Sequence, residues 1–238
     1  MIGNIIINKN DAFGNVNYEV VRALLYMVDR NMMDALGQPY SSTKQCVIVP
    51  TEDVPMCSNV GDKHLIFLKT KENYWCQWVY QFAHEYCHHL IDGSLSGEWS
   101  DVLWFEETIC ELSSLYNLNR MIGFCAANGL QTYAPSVLDY LKDLLTKNSK
   151  TFNLSTDGGW YGRYEVSLRE VKYQRELYNA IAVLMFPLFI ENPCLWKLIL
   201  NIGDIRSWAS LDELFGHLEA FADDSYRESL VRLVKIFS

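Results

Sequence analysis

The chain has 238 residues, of which 50% are hydrophobic and 13% aromatic, and it carries a formal net charge of −9. This composition supplies enough apolar side chains for a folded core, so extensive disorder is excluded. The negative charge argues against a general nucleic-acid-binding or anionic-membrane-binding surface. We therefore expect a globular protein with no nucleic-acid or membrane partner, and the sequence does not determine its oligomeric state.

The predicted location is cytoplasmic. The first residues, MIGNIIINKN, lack the basic segment and the long apolar run of an export signal. The longest apolar run, Ile181–Ile190, is far shorter than the about 20 residues of a membrane span. The seven cysteines form no CxxC pair, which excludes a cysteine zinc ribbon. In a chain without an export signal, they are expected to be reduced thiols.

The predicted elements of the first third are one helix and two strands. The helix covers 17–36, where apolar residues recur at helical spacing, and Gly37 follows its end. Two short apolar segments bounded by turn residues predict strands, Cys46–Pro50 and His64–Lys69. The second strand could act as an edge strand that pairs with an extended substrate. The segment 51–62 is predicted to be a loop.

Most of the remaining chain is predicted to be helical. One helix runs from about Glu72 to Ile91, and another from about Asp101 to Leu118 with Ser100 as its N-cap. A long helix is expected over Leu168–Ile190, with a kink at Pro187. Further helix starts are predicted at Pro135, at Asn192-Pro193, at the capping-box segment Ser210–Glu213 and at about Ser225.

This order of elements predicts an α+β fold, in which a small N-terminal β-sheet packs on a mostly helical body. No internal repeat or convincing linker divides the chain. We therefore expect a single domain over 1–238, with an α/β part at about 1–120 and a helical part at about 121–238.

The segment FAHEYCHHLIDG contains the pattern HExxH, formed by His84, Glu85 and His88. Residues four apart on a helix share one face, so the two imidazoles can clamp one metal ion. Glu85 is rotated by about 100° from His84 and can act on a water molecule beside the metal, as a general base does. His89 also points about 100° away from His88, and we expect it at the surface or behind the ligands.

A catalytic zinc ion needs a third protein ligand and an open fourth position. The segment LWFEETICELSS places Glu107 after His88 with eighteen residues between them, and Glu111 one helical turn further on. Glu111 could bond the free ring nitrogen of His84 and fix its tautomer. Glu106, Glu107 and Glu111 would otherwise form a solvated helix face. The apolar residues among them favour a carboxylate edge that meets the histidine helix.

The chain resembles the gluzincin metallopeptidases, most closely the aminopeptidase N-like and thermolysin-like catalytic domains. The resemblance lies in the HExxH pattern, followed after eighteen residues by the Glu of WFEE. The resemblance covers about residues 75–115 and implies a zincin-like fold with two active-site helices. It also implies a Zn²⁺ ion whose three protein ligands are His84, His88 and Glu107. In the same resemblance, Glu85 is the general base and Glu111 is the carboxylate that supports a ligand.

The same resemblance implies a downstream tyrosine whose hydroxyl stabilises the oxyanion of the reaction. The segment VKYQRELYNAIA offers Tyr173 as the first candidate and Tyr178 as the second. Arg175 lies between them and is expected to be solvated, with binding of a substrate carboxylate as the alternative. The chain departs from the aminopeptidases in one respect, because it has no G-x-M-E-N element to capture a substrate amino terminus.

Together these residues predict a zinc metallopeptidase that hydrolyses a peptide or protein substrate with a zinc-activated water and Glu85 as general base. Two alternatives stay open. AHEYCHHL is also similar to the helix of small cytosolic HExxH proteases that cut one regulatory protein. A non-catalytic zinc-binding relative would keep the site for folding, with His89 as an awkward fourth ligand.

Overall fold

A computed structural model describes residues 5–37, 44–92, 103–155, 159–171, 174–203 and 210–237. The elements in these ranges are, in chain order, β1 (Ile5–Ile7), α1 (Tyr18–Leu36), β2 (Gln45–Pro50), β3 (Met56–Val60), β4 (Lys63–Leu68), α2 (Trp75–Ile91), α3 (Leu103–Ala127), α4 (Ala134–Thr151), α5 (Tyr161–Glu170), α6 (Arg175–Glu191), α7 (Ile199–Ile202), α8 (Leu211–Ala220) and α9 (Arg227–Phe237). Short 3-10 helices cover Asp11–Phe13 and Pro193–Leu198. The predicted α+β class, with a small N-terminal sheet and a mostly helical body, is confirmed.

The four strands form one mixed sheet in the order β1-β2-β4-β3. β4 pairs in parallel with β2 and antiparallel with β3, so Leu65 has Val47 on one side and Ser58 on the other. The predicted edge position of His64–Lys69 is therefore wrong, and β3 lies at that edge instead. β3 falls in the segment predicted to be a loop, because its sequence MCSNV has little of the β-branched and aromatic character of a strand.

Helix α2 is buried on nearly all sides. Trp78, Val79, Phe82 and Cys87 are fully buried, and the helix packs against α1, α3, β3 and β4. A helix that is apolar around its whole circumference is typical of a protein interior. The HExxH segment therefore lies at the centre of the described fold, where neighbouring elements fix its orientation.

Two serine hydroxyls set the register between α3 and α2. The Ser113 hydroxyl donates to the Ala83 carbonyl at 2.9 Å, and the Ser114 hydroxyl donates to the Tyr80 carbonyl at 2.7 Å. Both serines are completely buried, and such small side chains let two helix backbones approach closely. This contact aligns the first half of α3 with the histidine-bearing half of α2.

The predicted helix over Leu168–Ile190 is wrong, because the chain forms two helices there. α5 ends at Glu170, and Val171 is extended, with φ −98° and ψ 110°. The Ser167 hydroxyl donates to the Gln174 side-chain oxygen at 2.8 Å across this break. α6 therefore begins at Arg175, which places that side chain in the first turn of a helix.

Two predicted helix starts are confirmed. Pro135 lies in the first turn of α4, and the Ser210 hydroxyl accepts a hydrogen bond from the Glu213 backbone N–H at 3.2 Å at the start of α8. Asn192 precedes a 3-10 helix and makes no side-chain capping bond there. The predicted N-cap Ser100 lies outside the described residues.

Within the described ranges, no single helix has both the length and the apolar composition of a membrane span. α6 and the segment Pro193–Ile202 reach that length and apolar composition only when they are taken together, and the chain bends by 118° between them.

Candidate metal centre

The structure brings together His84 and His88 from α2 and Glu107 from α3. Glu107 Oε2 lies 3.3 Å from Nε2 of His84, and Glu107 Oε1 lies 3.6 Å from Nε2 of His88. One potential ligand atom from each residue lies within 4.8 Å of the other two. These three side chains are those that the HExxH spacing and the gluzincin resemblance predict.

The spacing of these atoms fits a zinc ion. Tetrahedral zinc with bonds of about 2.0–2.1 Å holds its ligand atoms about 3.3 Å apart. Each Glu107 oxygen faces one imidazole, Oε2 at 3.3 Å from His84 and Oε1 at 3.6 Å from His88, and both distances are longer than the about 2.7–3.2 Å of an ordinary N–H···O hydrogen bond. Two imidazoles and a carboxylate are also a donor set that suits zinc. The three residues could therefore hold a zinc ion between them.

A carboxylate stands behind each imidazole. Nδ1 of His88 is 2.6 Å from Glu106 Oε1, a short hydrogen bond that leaves Nε2 of His88 for a metal ion. Nδ1 of His84 faces Glu111 Oε2 at 3.6 Å, and both atoms are buried without a hydrogen-bond partner in the described part of the chain. Such outer carboxylates orient the ring and raise the basicity of a metal-binding histidine.

Glu111 therefore lies where the sequence predicts it, behind His84. The role of Glu106 is missed by sequence reasoning, which assigns it no part in the site, whereas it is only 4% exposed and bonds to His88. The one sequence signal for a role of Glu106 is its position next to Glu107. That position could not show which of the two carboxylates faces Nε2 of His88 and which faces Nδ1.

Two further side chains extend this arrangement to the rim of the site. The Tyr80 hydroxyl donates to Glu111 Oε1 at 2.5 Å, and the Arg175 guanidinium lies beside the same phenol. Burial lowers the pKa of Arg175, but Tyr80 and Glu111 raise it by more, so the guanidinium stays charged. Arg175 thus lies next to the Tyr80–Glu111 pair that stands behind His84, and it is exposed, as predicted.

The carboxylates give the site a strong preference for positive charge. Burial alone would lower the pKa of His88, but Glu107 and Glu106 raise it to about 9. Burial would raise the pKa of Glu107, but His88 and His84 lower it to about 2. For His84, the effect of burial is likewise outweighed by the neighbouring carboxylates, which raise its pKa well above the ordinary value. Such a field favours a bound cation.

Glu85 lies beside the two histidines and lines the same cleft, although it is only 5% exposed. Burial is the main cause that raises its pKa, and the neighbouring charges of His84 and His88 oppose the rise. A carboxylate whose pKa moves toward neutrality accepts and returns a proton more readily near neutral pH. This environment suits a general base.

The site opens into a cleft of about 490 Å³. The three potential ligands and Glu85 line it, and the segment Val54–Cys57 forms an adjoining wall that includes the start of edge strand β3. Leu103, Arg175 and Tyr178 also line the cleft. Of the two predicted oxyanion donors, Tyr178 is thus present in the cleft, whereas Tyr173 lies outside the described residues.

His89 is neither at the surface nor behind the ligands, so that prediction is wrong. It is 2% exposed, and its Nδ1 lies 2.7 Å from Nδ1 of the fully buried His64 on β4. Nε2 of His64 lies 3.1 Å from Asp92, which also pairs with Lys44 at 2.9 Å. The helix turns His89 toward the sheet, away from Glu107, which excludes it as the fourth ligand of the same ion.

His88, Glu106 and Cys110 form a second set of closely placed potential ligands. The 2.6 Å between His88 Nδ1 and Glu106 Oε1 is shorter than the about 3.3 Å between two ligands of one zinc ion, and it is typical of a hydrogen bond. Burial also raises the pKa of the Cys110 thiol well above its ordinary value, which opposes formation of a thiolate ligand. This set therefore supports the first site and does not form another.

No protein-family model matches the chain, and no curated protein matches it. The chemistry of the site is therefore interpreted from the geometry of the described residues.

Proposed function

We propose that the protein is a zinc-dependent peptidase of the gluzincin type, with His84, His88 and Glu107 as the zinc ligands and Glu85 as the general base. The observation that carries this proposal is the convergence of two Nε2 atoms and one carboxylate beside Glu85 in an open cleft. Three protein ligands with access to solvent are typical of catalytic zinc, whereas structural zinc sites usually have four.

The reaction needs one proton acceptor and one stabiliser of negative charge. A bound zinc ion would lower the pKa of a water molecule and polarise the substrate carbonyl. Glu85 accepts a proton from the water as the water oxygen bonds to the carbonyl carbon. The carbon–nitrogen bond then breaks, and Glu85 returns the proton to the leaving amine nitrogen. Tyr178 is the candidate donor to the oxyanion, because its side chain lines the cleft.

A peptide substrate is supported by the edge strand beside the site. β3 is the last strand of the sheet, and Met56 and Cys57 line the cleft. An extended peptide can add to such an edge through main-chain hydrogen bonds, while its side chains enter neighbouring pockets. This role of an edge strand, which the sequence assigns to His64–Lys69, is therefore proposed for Met56–Val60.

The test is a Glu85→Gln variant that is reconstituted with zinc and desalted beside the unchanged protein. The variant should retain about one zinc ion per chain, because Glu85 is not a ligand. Its hydrolysis of a mixed peptide library should fall by about 10²- to 10⁴-fold, the usual contribution of a general acid–base group. Zinc content is measured by elemental analysis and cleavage by mass spectrometry.

Glu219→Gln is a matched control on an exposed face of α8 and should change neither quantity. Full activity of Glu85→Gln would show that the proposed mechanism is wrong. A chelator titration followed by circular dichroism tests the non-catalytic alternative. Loss of activity with the fold retained supports catalytic zinc, whereas unfolding on chelation indicates a structural ion.

A further inference from the structure

Arg175 is unusual among the residues that form the cleft. The described lining contains apolar side chains at Val54, Met56 and Leu103, and its acidic groups include Glu85 and Glu107. Arg175 is the only lysine or arginine among the described lining residues. Apart from the proposed zinc ion, Arg175 is therefore the group in this lining that would attract a negatively charged part of a substrate.

The guanidinium of Arg175 lies next to a polar pair and retains capacity to bind. Its neighbour is the Tyr80 phenol, whose hydroxyl donates to Glu111. Among the described residues, no carboxylate oxygen lies within 4.0 Å of a guanidinium nitrogen of Arg175. A guanidinium carries five N–H donors in a planar fork, so a contact with Tyr80 leaves donors for a second partner.

The position of Arg175 on its helix adds to its charge. It is the first residue of α6, a helix of 17 residues, where the helix dipole places partial positive charge. Tyr178 follows three residues later and lines the same cleft, so both side chains extend from the first turn of α6 toward the candidate metal centre. This geometry presents a fixed cation beside the proposed reaction centre.

We infer that Arg175 binds a carboxylate of the substrate and makes the site select peptides that carry one next to the cleaved bond. A planar guanidinium grips a carboxylate through two parallel hydrogen bonds, which gives orientation as well as affinity. The carboxylate is either the C-terminus of a short peptide or an acidic side chain. This inference rests on the proposed peptidase function and names the substrate class of that site.

The experiment uses zinc-loaded protein and N-acetylated tripeptides with apolar residues, each made with a free and with an amidated C-terminus. Free-acid peptides form the first set and their amides the second. A third set consists of amidated peptides in which the last residue is either Glu or its neutral counterpart Gln. The unchanged protein should cleave the free-acid set, or the Glu set, with a kcat/KM about 10- to 100-fold higher than its neutral counterpart, as a charge-assisted bidentate contact supplies. Whichever set is favoured identifies the source of the carboxylate.

Arg175→Gln should reduce that ratio to about one, and Arg175→Lys should preserve part of it, since a lysine keeps the charge without the fork. Tyr80→Phe removes the neighbouring hydroxyl but leaves the charge, so its ratio should stay above one. Arg163→Gln, at an exposed position on α5, is the matched control and should leave the ratio unchanged. Equal cleavage of charged and neutral peptides by the unchanged protein would overturn the inference and leave the peptidase function standing.

A binding measurement separates the two proposals where hydrolysis is absent. Zinc-loaded Glu85→Gln is titrated by calorimetry with acetyl-Ala-Phe-Leu, with its amide, and with the amidated acetyl-Ala-Phe-Glu. Tighter binding of either carboxylate peptide that disappears in Glu85→Gln/Arg175→Gln supports the carboxylate site even if the unchanged protein cleaves nothing, in which case the peptidase function fails alone. Equal binding of all three peptides overturns the carboxylate site.

Discussion

His88 and His89 are consecutive residues of α2, yet their surroundings are opposite. Nδ1 of His88 bonds to Glu106, and Glu107 lies at its other ring nitrogen. Nδ1 of His89 meets a second imidazole, that of His64. Burial acts on both rings, but carboxylates raise the pKa of His88 to about 9, whereas burial and His64 lower the pKa of His89 to about 4.

This contrast shows that a histidine becomes a candidate metal ligand through the element that faces it. One step along a helix rotates a side chain by about 100°. The step turns His88 toward the carboxylates of α3 and His89 toward β4 of the sheet. Close to the second pair, Asp92 already shares its charge with Lys44, so the ion pairs of the described residues give that pair no uncompensated carboxylate for a cation. We interpret His89 and His64 as a neutral hydrogen bond between α2 and β4.

The largest expected effect is the loss of zinc binding in Glu107→Gln, which removes the carboxylate that faces His88. Loss of a ligand should weaken zinc binding by more than the about 100-fold that loss of an outer partner costs. The variant should therefore retain no zinc after reconstitution and desalting, whereas Glu219→Gln should retain about one ion per chain. A Glu107→Gln protein that still holds a full equivalent of zinc would exclude Glu107 as a ligand.

A smaller effect should follow from neutralising the carboxylates behind the two rings. Glu106→Gln and Glu111→Gln should each weaken zinc binding by about 10- to 100-fold, since outer-shell partners of metal-binding histidines contribute this much. We expect the larger loss in Glu106→Gln, because its bond to His88 is 2.6 Å long, whereas Glu111 lies 3.6 Å from His84. Competition with a chromogenic chelator measures both affinities, and the reverse order would contradict this interpretation of the distances.

The smallest effect on the metal should come from breaking the second histidine pair with His64→Phe. This change leaves Nδ1 of buried His89 without its partner, which should lower the free energy of unfolding by about 1–3 kcal/mol. Zinc content should not change. In the double variant His64→Phe/His89→Phe, much of the lost stability should return, because two apolar groups leave nothing unpaired. Urea unfolding measures the stabilities, and loss of zinc from His64→Phe would contradict the separation of the two pairs.

The candidate site was predictable from sequence only where it depends on local spacing. His84 and His88 are four apart on a helix, and Glu107 and Glu111 are four apart on the next one, so each pair must share a face. Glu106 was missed because the rotation of α3 against α2 decides which carboxylate stands behind His88. That rotation is fixed by the bonds of Ser113 and Ser114 to the α2 backbone, which join residues about thirty positions apart.

The fold, like the site, was predictable only where it depends on local sequence. The apolar pattern predicted most helices and two strands. The strand order depends on which distant segments pair, and no local pattern indicates that. β4 therefore proved central and β3 proved to be the edge that lines the cleft. The break between α5 and α6 was also missed, because the apolar spacing continues across it, and this break is what places Arg175 in the first turn of α6 at the cleft.

The sequence by itself determined the α+β class and the helix that places His84 and His88 on one face, because these depend on composition and on the period of a helix. Glu107 was selected as the third potential ligand only by the resemblance to the gluzincins. Only the tertiary structure decided that Glu106 supports His88, that His89 pairs with His64, and that Arg175 and β3 border the same cleft. These depend on how separate elements rotate and pack against each other, and the repeat of a single helix or strand contains no information about that packing.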